Sequence, residues 1–352
     1  MSTIVFRVLL IKYLSLFKHY YYAAYIRLKR LTLKRLVNLA KIEYAFFKKK
    51  TIVNGYPYEI VIEPTNICQL KCPLCFTGTG SAGREKGFMG LAAFQKMIDT
   101  LGPYAFHVYL HLWGESFLHR DLNRFIQYSH NANLSTTVSS NLSFQLEERR
   151  AKDIIRSGLD VLVVGLDGVT AEVYNRYRVG GNFDQVIVNI KLFARLKKEL
   201  GSKTPYIKWH FIVTRQNSHQ VEAAKELSKE LGTDSIVFAS VFLRDPIDNA
   251  TKEKWLPVDK HLGNQKVFDK PNELIGGCWW LWRGVVVNWD GAISPCCTIA
   301  DKTTDFALFD QDFKRVWNNP HYQAARQLFT GDKRASGLKT VCHDCGVVRY
   351  SQ

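Results

Sequence analysis

The sequence predicts an α/β fold. We expect a partial (β/α)6 barrel, with a basic helical extension before it and a small cysteine-bearing module after it. Three observations predict this order. Between residues 58 and 241, short apolar runs typical of strands alternate six times with helical patterns. The first 50 residues carry twelve Lys or Arg and one acid, and residues 278–352 hold five of the eight cysteines.

The basic extension covers residues 1–50. Its formal charge of +11 accounts for most of the total of +16. We expect an amphipathic helix here, which either attaches the protein peripherally to an anionic membrane surface or packs on the barrel. No cleavable signal peptide is evident and no apolar run reaches the roughly 20 residues that span a bilayer, so we expect a cytoplasmic protein. The predicted basic stripe at helical spacing consists of Arg27, Arg30, Lys34, Lys41 and Lys48.

The barrel is expected over residues 51–244. Strands that alternate with helices favour a parallel sheet that closes toward a TIM-like barrel. Helices are predicted near 91–101, 122–126, 144–157, 182–200 and 217–231. The six predicted strands are Tyr58–Glu63, Phe106–Trp113, Leu134–Ser140, Leu159–Leu166, Tyr206–Val213 and Ser235–Val241.

The chain beyond the barrel divides into two parts. Residues 245–277 lose the alternation and are predicted to be a linker. Residues 278–352 are predicted to form the second module. Within it, Asp290-Gly291 is a tight-turn dipeptide between two apolar runs, which predicts a β-hairpin. A single helix is expected around residues 312–330.

The first group of cysteines consists of Cys68, Cys72 and Cys75, in the loop after the first predicted strand. Loops at the carboxyl ends of parallel strands are where such folds place their active sites. Three thiolates can bind three irons of a [4Fe–4S] cluster and leave the fourth iron open. A structural zinc site usually takes four protein ligands, so the group of three favours iron–sulfur over zinc.

The second group supplies four thiolates, from Cys278, Cys296, Cys342 and Cys345. Four cysteines divided between a hairpin and a C-terminal Cys-x2-Cys pair suit either an auxiliary [4Fe–4S] cluster or a zinc ribbon. Cys297 is the alternative to Cys296 as a ligand, or it is a buried thiol.

The spacing Cys68-x3-Cys72-x2-Cys75 resembles the signature of the radical S-adenosylmethionine (radical SAM) superfamily. Trp113-Gly114-Glu115-Ser116 looks like the Gly-Gly-Glu-Pro stretch of that family, with Trp113 and Ser116 departing from it. Leu166-Asp167-Gly168 resembles the Ile-Asp-Gly stretch of members with a C-terminal cluster domain. The resemblance implies that S-adenosylmethionine is bound by Gly114, Glu115, Ser139, Asn141, Arg178 and Phe76.

The C-terminal cysteines resemble the SPASM/twitch region of the same superfamily. Their spacing is similar to that of the inosamine dehydrogenase of the butirosin pathway, which oxidises an alcohol. The resemblance implies two [4Fe–4S] clusters, S-adenosylmethionine as a cofactor and an external electron donor such as flavodoxin or ferredoxin. It also favours the auxiliary cluster over zinc at the second site.

The implied reaction begins with reductive cleavage of S-adenosylmethionine to a 5′-deoxyadenosyl radical, which removes hydrogen from a substrate. Transfer of the remaining electron to an auxiliary cluster would oxidise the substrate, whereas return of a hydrogen would epimerise it. We expect a carbohydrate or cyclitol as substrate, with a peptide as the alternative. A hypothesis from a different functional class is a non-enzymatic, zinc-binding protein that binds nucleic acid. It is disfavoured because the charge lies before the barrel and the three-cysteine loop would have no role.

Overall fold

A computed structural model describes residues 28–241, 248–258, 277–330 and 337–345. The strands are β1 (Glu59–Ile62), β2 (His107–Tyr109), β3 (Ser135–Ser140), β4 (Val161–Gly165), β5 (Tyr206–Val213), β6 (Ser235–Ser240), β7 (Gly284–Val287), β8 (Ala292–Ser294) and β9 (Ala307–Leu308). The helices are α1 (Leu33–Phe47), α2 (Phe76–Thr79), α3 (Leu91–Leu101), α4 (Leu122–Asn131), α5 (Glu148–Arg156), α6 (Ala171–Tyr177), α7 (Phe183–Glu199), α8 (Val221–Glu230), α9 (Asn249–Trp255), α10 (Trp280–Arg283), α11 (Phe313–Trp317) and α12 (Pro320–Gln327). Short 3-10 helices cover Ser116–Leu118, Ser218–Gln220, Lys302–Thr304 and Val341–Asp344.

The described strands form one sheet in the order β6-β5-β4-β3-β2-β1-β7-β8-β9. The pairs from β1 to β6 are all parallel, and helices connect consecutive strands. This arrangement confirms the predicted α/β fold with a parallel, partial barrel. Because the strands are parallel, their carboxyl ends and the loops that follow them lie at one edge of the sheet.

Strand β5 shows how the sheet separates apolar from polar side chains. Trp209 and Phe211 are completely buried in the hydrophobic core, whereas Lys208 and His210 alternate with them and are half-buried. Successive side chains of a strand point to opposite faces, so one face supplies the core and the other supplies the barrel interior. Lys208 and His210 therefore place polar groups on the interior face of the barrel.

The second module joins the barrel through backbone pairing. Strand β7 runs parallel to β1, with Ile60 opposite Val285, and β8 returns antiparallel to β7. The turn between β7 and β8 contains Gly291 at a φ of 82°, a left-handed conformation that glycine adopts without strain. This confirms the hairpin predicted at Asp290-Gly291.

Two regions differ from the sequence prediction. The helix expected around 312–330 is divided into α11 and α12, because Asn319 caps a new helix and Pro320 occupies its first turn. The predicted linker contains α9 in its described part, and Trp255 of that helix packs on Tyr177 with ring centroids 5.4 Å apart. Residues 259–276 of the predicted linker lie outside the described residues.

The described part of the N-terminal extension forms helix α1, which packs on the barrel. Arg35 is buried, and its guanidinium donates hydrogen bonds to the carbonyls of Gly102 and Ala132 at 2.9 and 3.2 Å. Those carbonyls lie just after α3 and α4, where the negative ends of the helix dipoles favour a cation. Arg30 is also buried and bonds to Asp160, so it does not belong to a solvated basic stripe as predicted. Residues 1–27 lie outside the described residues.

None of the described helices combines the length and apolarity that a membrane-crossing helix needs.

We expect Arg35→Met to lower the free energy of unfolding by about 2–4 kcal/mol, because buried carbonyls lose a charged donor. The side chain also bonds to the carbonyls of Arg30 and Asn133 at 2.7 and 2.8 Å. Lys41→Met is the matched control on the exposed face of α1 and should change stability by about 0.5 kcal/mol or less. Urea unfolding measures both variants. Equal midpoints for the two would contradict the role of Arg35.

Candidate cluster and cofactor site

A pocket of about 590 Å³ lies at the carboxyl ends of the barrel strands. It collects side chains from the loops after several strands, as expected of a parallel α/β sheet. All three cysteines of the first group line it, which brings together groups predicted from distant parts of the sequence. The predicted cofactor residues that line the same pocket are Gly114, Glu115, Ser139, Asn141 and Arg178.

Phe76 was also predicted to bind the cofactor, but it does not line this pocket. It begins α2, and its ring packs edge-on against Trp113 with centroids 5.1 Å apart. Leu74 lines the pocket in the same loop. Phe76 thus contacts Trp113, which lines the pocket, and its predicted role in binding the cofactor stays a prediction.

The cysteine loop turns tightly upon itself. The backbone N–H of Cys75 donates to the carbonyl of Cys72 at 3.2 Å, and helix α2 begins at the next residue. A Cβ atom at Gly78 would come within 2.6 Å of the backbone nitrogen and oxygen of Cys72, so only glycine permits this approach. The compact turn holds Cys72 and Cys75 on the same pocket.

Hydrogen-bond donors surround the first sulfur. The backbone N–H of Leu70 lies 3.4 Å from the Sγ of Cys68, and the side-chain amide of Asn141 lies 3.7 Å from it. Burial raises the pKa of Cys68 to about 12 and also raises the pKa of Cys72. A positively charged metal centre is what allows such desolvated thiols to bind as thiolates. One buried and two half-buried thiols, with N–H donors beside Cys68, fit an iron–sulfur cluster with three protein ligands.

Glu115 ties two pocket loops together. One carboxylate oxygen accepts the backbone N–H of Asn141 at 2.7 Å, and the other accepts that of Phe117 at 3.0 Å. The preceding residue, Gly114, packs so closely on the loop after β1 that a Cβ atom would stand 2.0 Å from the carbonyl oxygen of Thr65. The stretch therefore joins the loops that follow β1, β2 and β3.

Arg178 is oriented into the pocket by Asp167. The guanidinium Nε donates to one carboxylate oxygen of Asp167 at 2.6 Å, and the backbone N–H of Ile212 donates to the other at 2.6 Å. A Cβ atom at Gly165 would lie 2.6 Å from a guanidinium nitrogen, so this glycine leaves room for the arginine. The Leu-Asp-Gly stretch noted in the sequence thus positions a cation beside the cysteines.

Sequence reasoning missed three polar residues of the pocket, His111, His210 and Ser240. The Nδ1 of His111 accepts the backbone N–H of Ser139 at 3.1 Å, so the Nε2 of a neutral ring carries the proton. Burial lowers the pKa of His111 to about 4 and lowers that of His210, so both rings are neutral at pH 7. The hydroxyl of Ser240 is buried without a hydrogen-bond partner among the described residues. Polar residues at every second position of β2 and β5 are the signal that could have indicated the histidines.

The second group of cysteines gathers beside the hairpin. Cys278 precedes α10 and Cys296 follows β8. Cys342 lies in the 3-10 helix Val341–Asp344, and Cys345 directly follows that helix. Burial and then the neighbouring thiols Cys296 and Cys345 raise the pKa of Cys278 to about 12. Burial also raises the pKa of Cys342, and the other three thiols of the group add to this increase. Cys296 is thus the hairpin thiol whose charge acts on both Cys278 and Cys342.

In the part of the chain that the structure describes, no three His, Cys, Asp or Glu side chains converge as ligands of a single metal ion. The thiolates of a [4Fe–4S] cluster bind different irons, so they do not need to converge on one point.

A buried ion network connects the two modules. The guanidinium of Arg84 bonds to Asp290 at 2.8 and 3.0 Å and to Asp305 at 2.6 and 2.7 Å, and its side chain is only 2% exposed. Arg84 lies in the loop between α2 and α3, whereas both carboxylates belong to the hairpin region of the second module. Bidentate pairs fix orientation as well as distance, so this network sets the hairpin against the cysteine loop.

Comparisons with known proteins agree with this geometry. The family model of the radical SAM superfamily matches residues 62–213, and that of the SPASM iron–sulfur cluster-binding domain matches residues 278–346. A tungsten-containing aldehyde ferredoxin oxidoreductase cofactor-modifying protein of Pyrococcus furiosus is 23% identical over 190 residues, 53% of this chain and 52% of that protein. The chain therefore spans about half the length of this curated relative.

Two solved structures show the likeness in fold. SuiB of Streptococcus suis bound to S-adenosylmethionine has a TM-score of 0.62 at 19% identity, covering 87% of this chain and 74% of SuiB. SuiB has also been solved with the precursor peptide SuiA. BtrN in complex with AdoMet and 2-DOIA has a TM-score of 0.51 at 15% identity, covering 85% of this chain and 97% of BtrN.

The two family matches coincide with the two groups of cysteines and with the two modules of the sheet. The cofactors of such domains are [4Fe–4S] clusters and S-adenosylmethionine. The chain therefore belongs to the radical SAM superfamily and combines a radical SAM domain with a C-terminal SPASM domain.

Proposed function

We propose that this radical SAM enzyme removes hydrogen from a carbohydrate or cyclitol and oxidises it. In this proposal Cys68, Cys72 and Cys75 hold the cluster that binds S-adenosylmethionine. The observation that carries the proposal is that these three thiols share one pocket with a buried carboxylate and an oriented arginine, Glu115 and Arg178. When bound, the cluster and S-adenosylmethionine supply a 5′-deoxyadenosyl radical, and an auxiliary cluster supplies an electron acceptor.

The pocket residues hold and orient the cofactor in this proposal. The backbone at Gly114 approaches the loop after β1 closely, and the backbone N–H of Glu115 donates to the carbonyl of Ile67, just before Cys68, at 2.8 Å. Ser139 and Asn141 end β3 on the same rim, and Arg178 supplies a positive charge suited to a carboxylate. External flavodoxin or ferredoxin is the proposed electron donor.

The second cluster is proposed at Cys278, Cys296, Cys342 and Cys345. Support comes from the positions of these residues beside the hairpin, from the raised pKa values of Cys278 and Cys342, and from the match of the SPASM family model to residues 278–346. Oxidation of an alcohol carbon to a carbonyl removes one hydrogen atom, one proton and one electron. A second redox centre in the same chain suits the removal of that last electron.

The substrate class is inferred from the uncharged polar groups of the pocket, which lie among apolar side chains such as Leu112 and Ile212. His111 and His210 are neutral, and Ser240 adds a hydroxyl. The lining charges of Glu115 and Arg178 already have partners. Neutral donors and acceptors suit a hydroxyl-rich, uncharged molecule. The pocket volume is within the roughly 300–1,000 Å³ typical of small-molecule sites, and S-adenosylmethionine would occupy much of it.

A peptide is the second candidate. It is favoured by one comparison, because the match to SuiB covers most of this chain and SuiB has been solved with a precursor peptide.

Anaerobic incubation with S-adenosylmethionine, dithionite and either a sugar and cyclitol pool or a peptide pool distinguishes the candidates. Mass spectrometry should find a sugar or cyclitol product that has lost two hydrogens. A modified peptide with no change in the sugar pool would favour the second candidate.

We expect the triple change of Cys68, Cys72 and Cys75 to Ala to remove about half of the bound iron and all S-adenosylmethionine cleavage. The reason is that these thiols are the proposed ligands of one cluster of two. Iron analysis and chromatography of 5′-deoxyadenosine measure the two effects. A wild-type chain that reconstitutes with about four irons and one zinc would contradict the second cluster and leave the first intact.

We expect Cys296→Ala to lose about half of the iron, whereas Cys297→Ala keeps it. Cys296 is the hairpin thiol that acts on both Cys278 and Cys342, so it is the proposed ligand. The neighbouring Cys297 is the matched control, since the same substitution is made one residue away. Cleavage of S-adenosylmethionine should persist in both variants. Loss of iron from Cys297→Ala alone would reverse the assignment.

A further inference from the structure

Helix α1 is held on the barrel in one orientation. One face carries the residues that contact the domain: Asn38 bonds to the carbonyls of Tyr56 and Tyr104, and Phe46 packs on Trp282 with ring centroids 5.7 Å apart. With Arg35 bonded beneath α3 and α4, this face cannot rotate toward solvent while the protein is folded. Within residues 28–241, 248–258, 277–330 and 337–345, the opposite face of α1 is therefore exposed.

That opposite face is apolar. Leu33, Tyr44 and Phe47 are 78%, 59% and 71% exposed. Single exposed apolar residues are ordinary, but a continuous row along one helix marks an interaction surface. Positions three, four and seven apart share one side of a helix, so these residues form one stripe. The apolar stripe consists of Leu33, Leu36, Val37, Ala40, Tyr44 and Phe47, all of them exposed.

Lysines follow one edge of the apolar stripe. Lys34, Lys41 and Lys48 recur every seven residues, which places them in a row beside it, and all three are exposed. On the opposite edge, Glu43 is bound to Arg283 and to the hydroxyl of Tyr58. Glu43, the acid of α1, is thus paired with other residues of the protein. The exposed face of α1 combines apolar side chains with positive charge.

We propose that the apolar stripe and its lysine edge dock the enzyme on an anionic membrane surface. A helix lies in the interface when its apolar face enters the acyl boundary and its lysines meet anionic headgroups. The sequence before α1 has the same sign of charge, because residues 1–27 contain Arg7, Lys12, Lys18 and Arg27 and no acid. A second copy of this face would bring two lysine rows together, and residues 1–27 offer no negative charge to cover them.

The test uses the full chain with its clusters reconstituted. It is sedimented with vesicles of phosphatidylcholine alone or of phosphatidylcholine with phosphatidylserine. Binding should require phosphatidylserine and fall with salt, because the lysine contribution is screened. Lys34→Gln with Lys41→Gln and Lys48→Gln should weaken binding by roughly a hundredfold at low salt. Val37→Ser with Tyr44→Ser and Phe47→Ser should weaken it by at least roughly tenfold.

Matched controls use exposed residues on other elements. Val188→Ser with Leu308→Ser removes exposed apolar side chains, and Lys191→Gln with Lys198→Gln and Lys203→Gln removes three exposed charges. Both controls should bind as the wild type does. Iron content and circular dichroism confirm that each variant is folded.

Three outcomes would overturn the proposal. The first is equal recovery of the wild type in the supernatant with and without phosphatidylserine at low salt. The second is vesicle binding that the two α1 variants do not weaken, which would assign attachment to another surface. The third is a dimer in sedimentation velocity that the stripe variant dissociates, which would make the stripe a contact between two copies.

Discussion

The parallel pairing of β1 with β7 determines how the barrel and the second module are joined. Four residue pairs, from Glu59 with Gly284 to Ile62 with Val287, join the barrel and the second module into one sheet. The first cysteine loop leaves the carboxyl end of β1, and Cys278 precedes the amino end of β7. The paired segment is roughly 13 Å long at the usual strand rise. Its length therefore contributes to the distance between the two cysteine groups.

Side-chain contacts add to the backbone pairing between the barrel and the second module. Arg84 binds Asp290 and Asp305 across the modules, and Glu63 at the end of β1 accepts the backbone N–H of Trp113 at 3.0 Å. Burial raises the pKa of Glu63 to about 7, which the backbone donors oppose. Breaking a buried ion network costs about 3–5 kcal/mol because charges remain without partners. The pocket, the cysteine loop and the hairpin thus form one rigid unit rather than two tethered domains.

The sequence predicted features that depend on local patterns. Strand and helix periodicity predicted the barrel, and the position of Cys68, Cys72 and Cys75 after the first strand predicted that they lie at the carboxyl edge of the sheet. It could not predict contacts between distant residues, such as Arg84 with Asp290, or the way Arg35 joins the ends of α3 and α4. The apolar stripe of α1 was missed for the same reason: periodicity identifies the faces of a helix, but packing decides which face is buried.

Electron paramagnetic resonance of the reduced protein tests most directly whether Cys68, Cys72 and Cys75 hold a cluster with an open iron. A variant in which Cys278, Cys296, Cys342 and Cys345 are changed to Ala isolates the first cluster. Its [4Fe–4S] signal should change shape when S-adenosylmethionine is added, because the cofactor binds an iron without a protein ligand. A cluster signal that is identical with and without S-adenosylmethionine would contradict the assignment of this site.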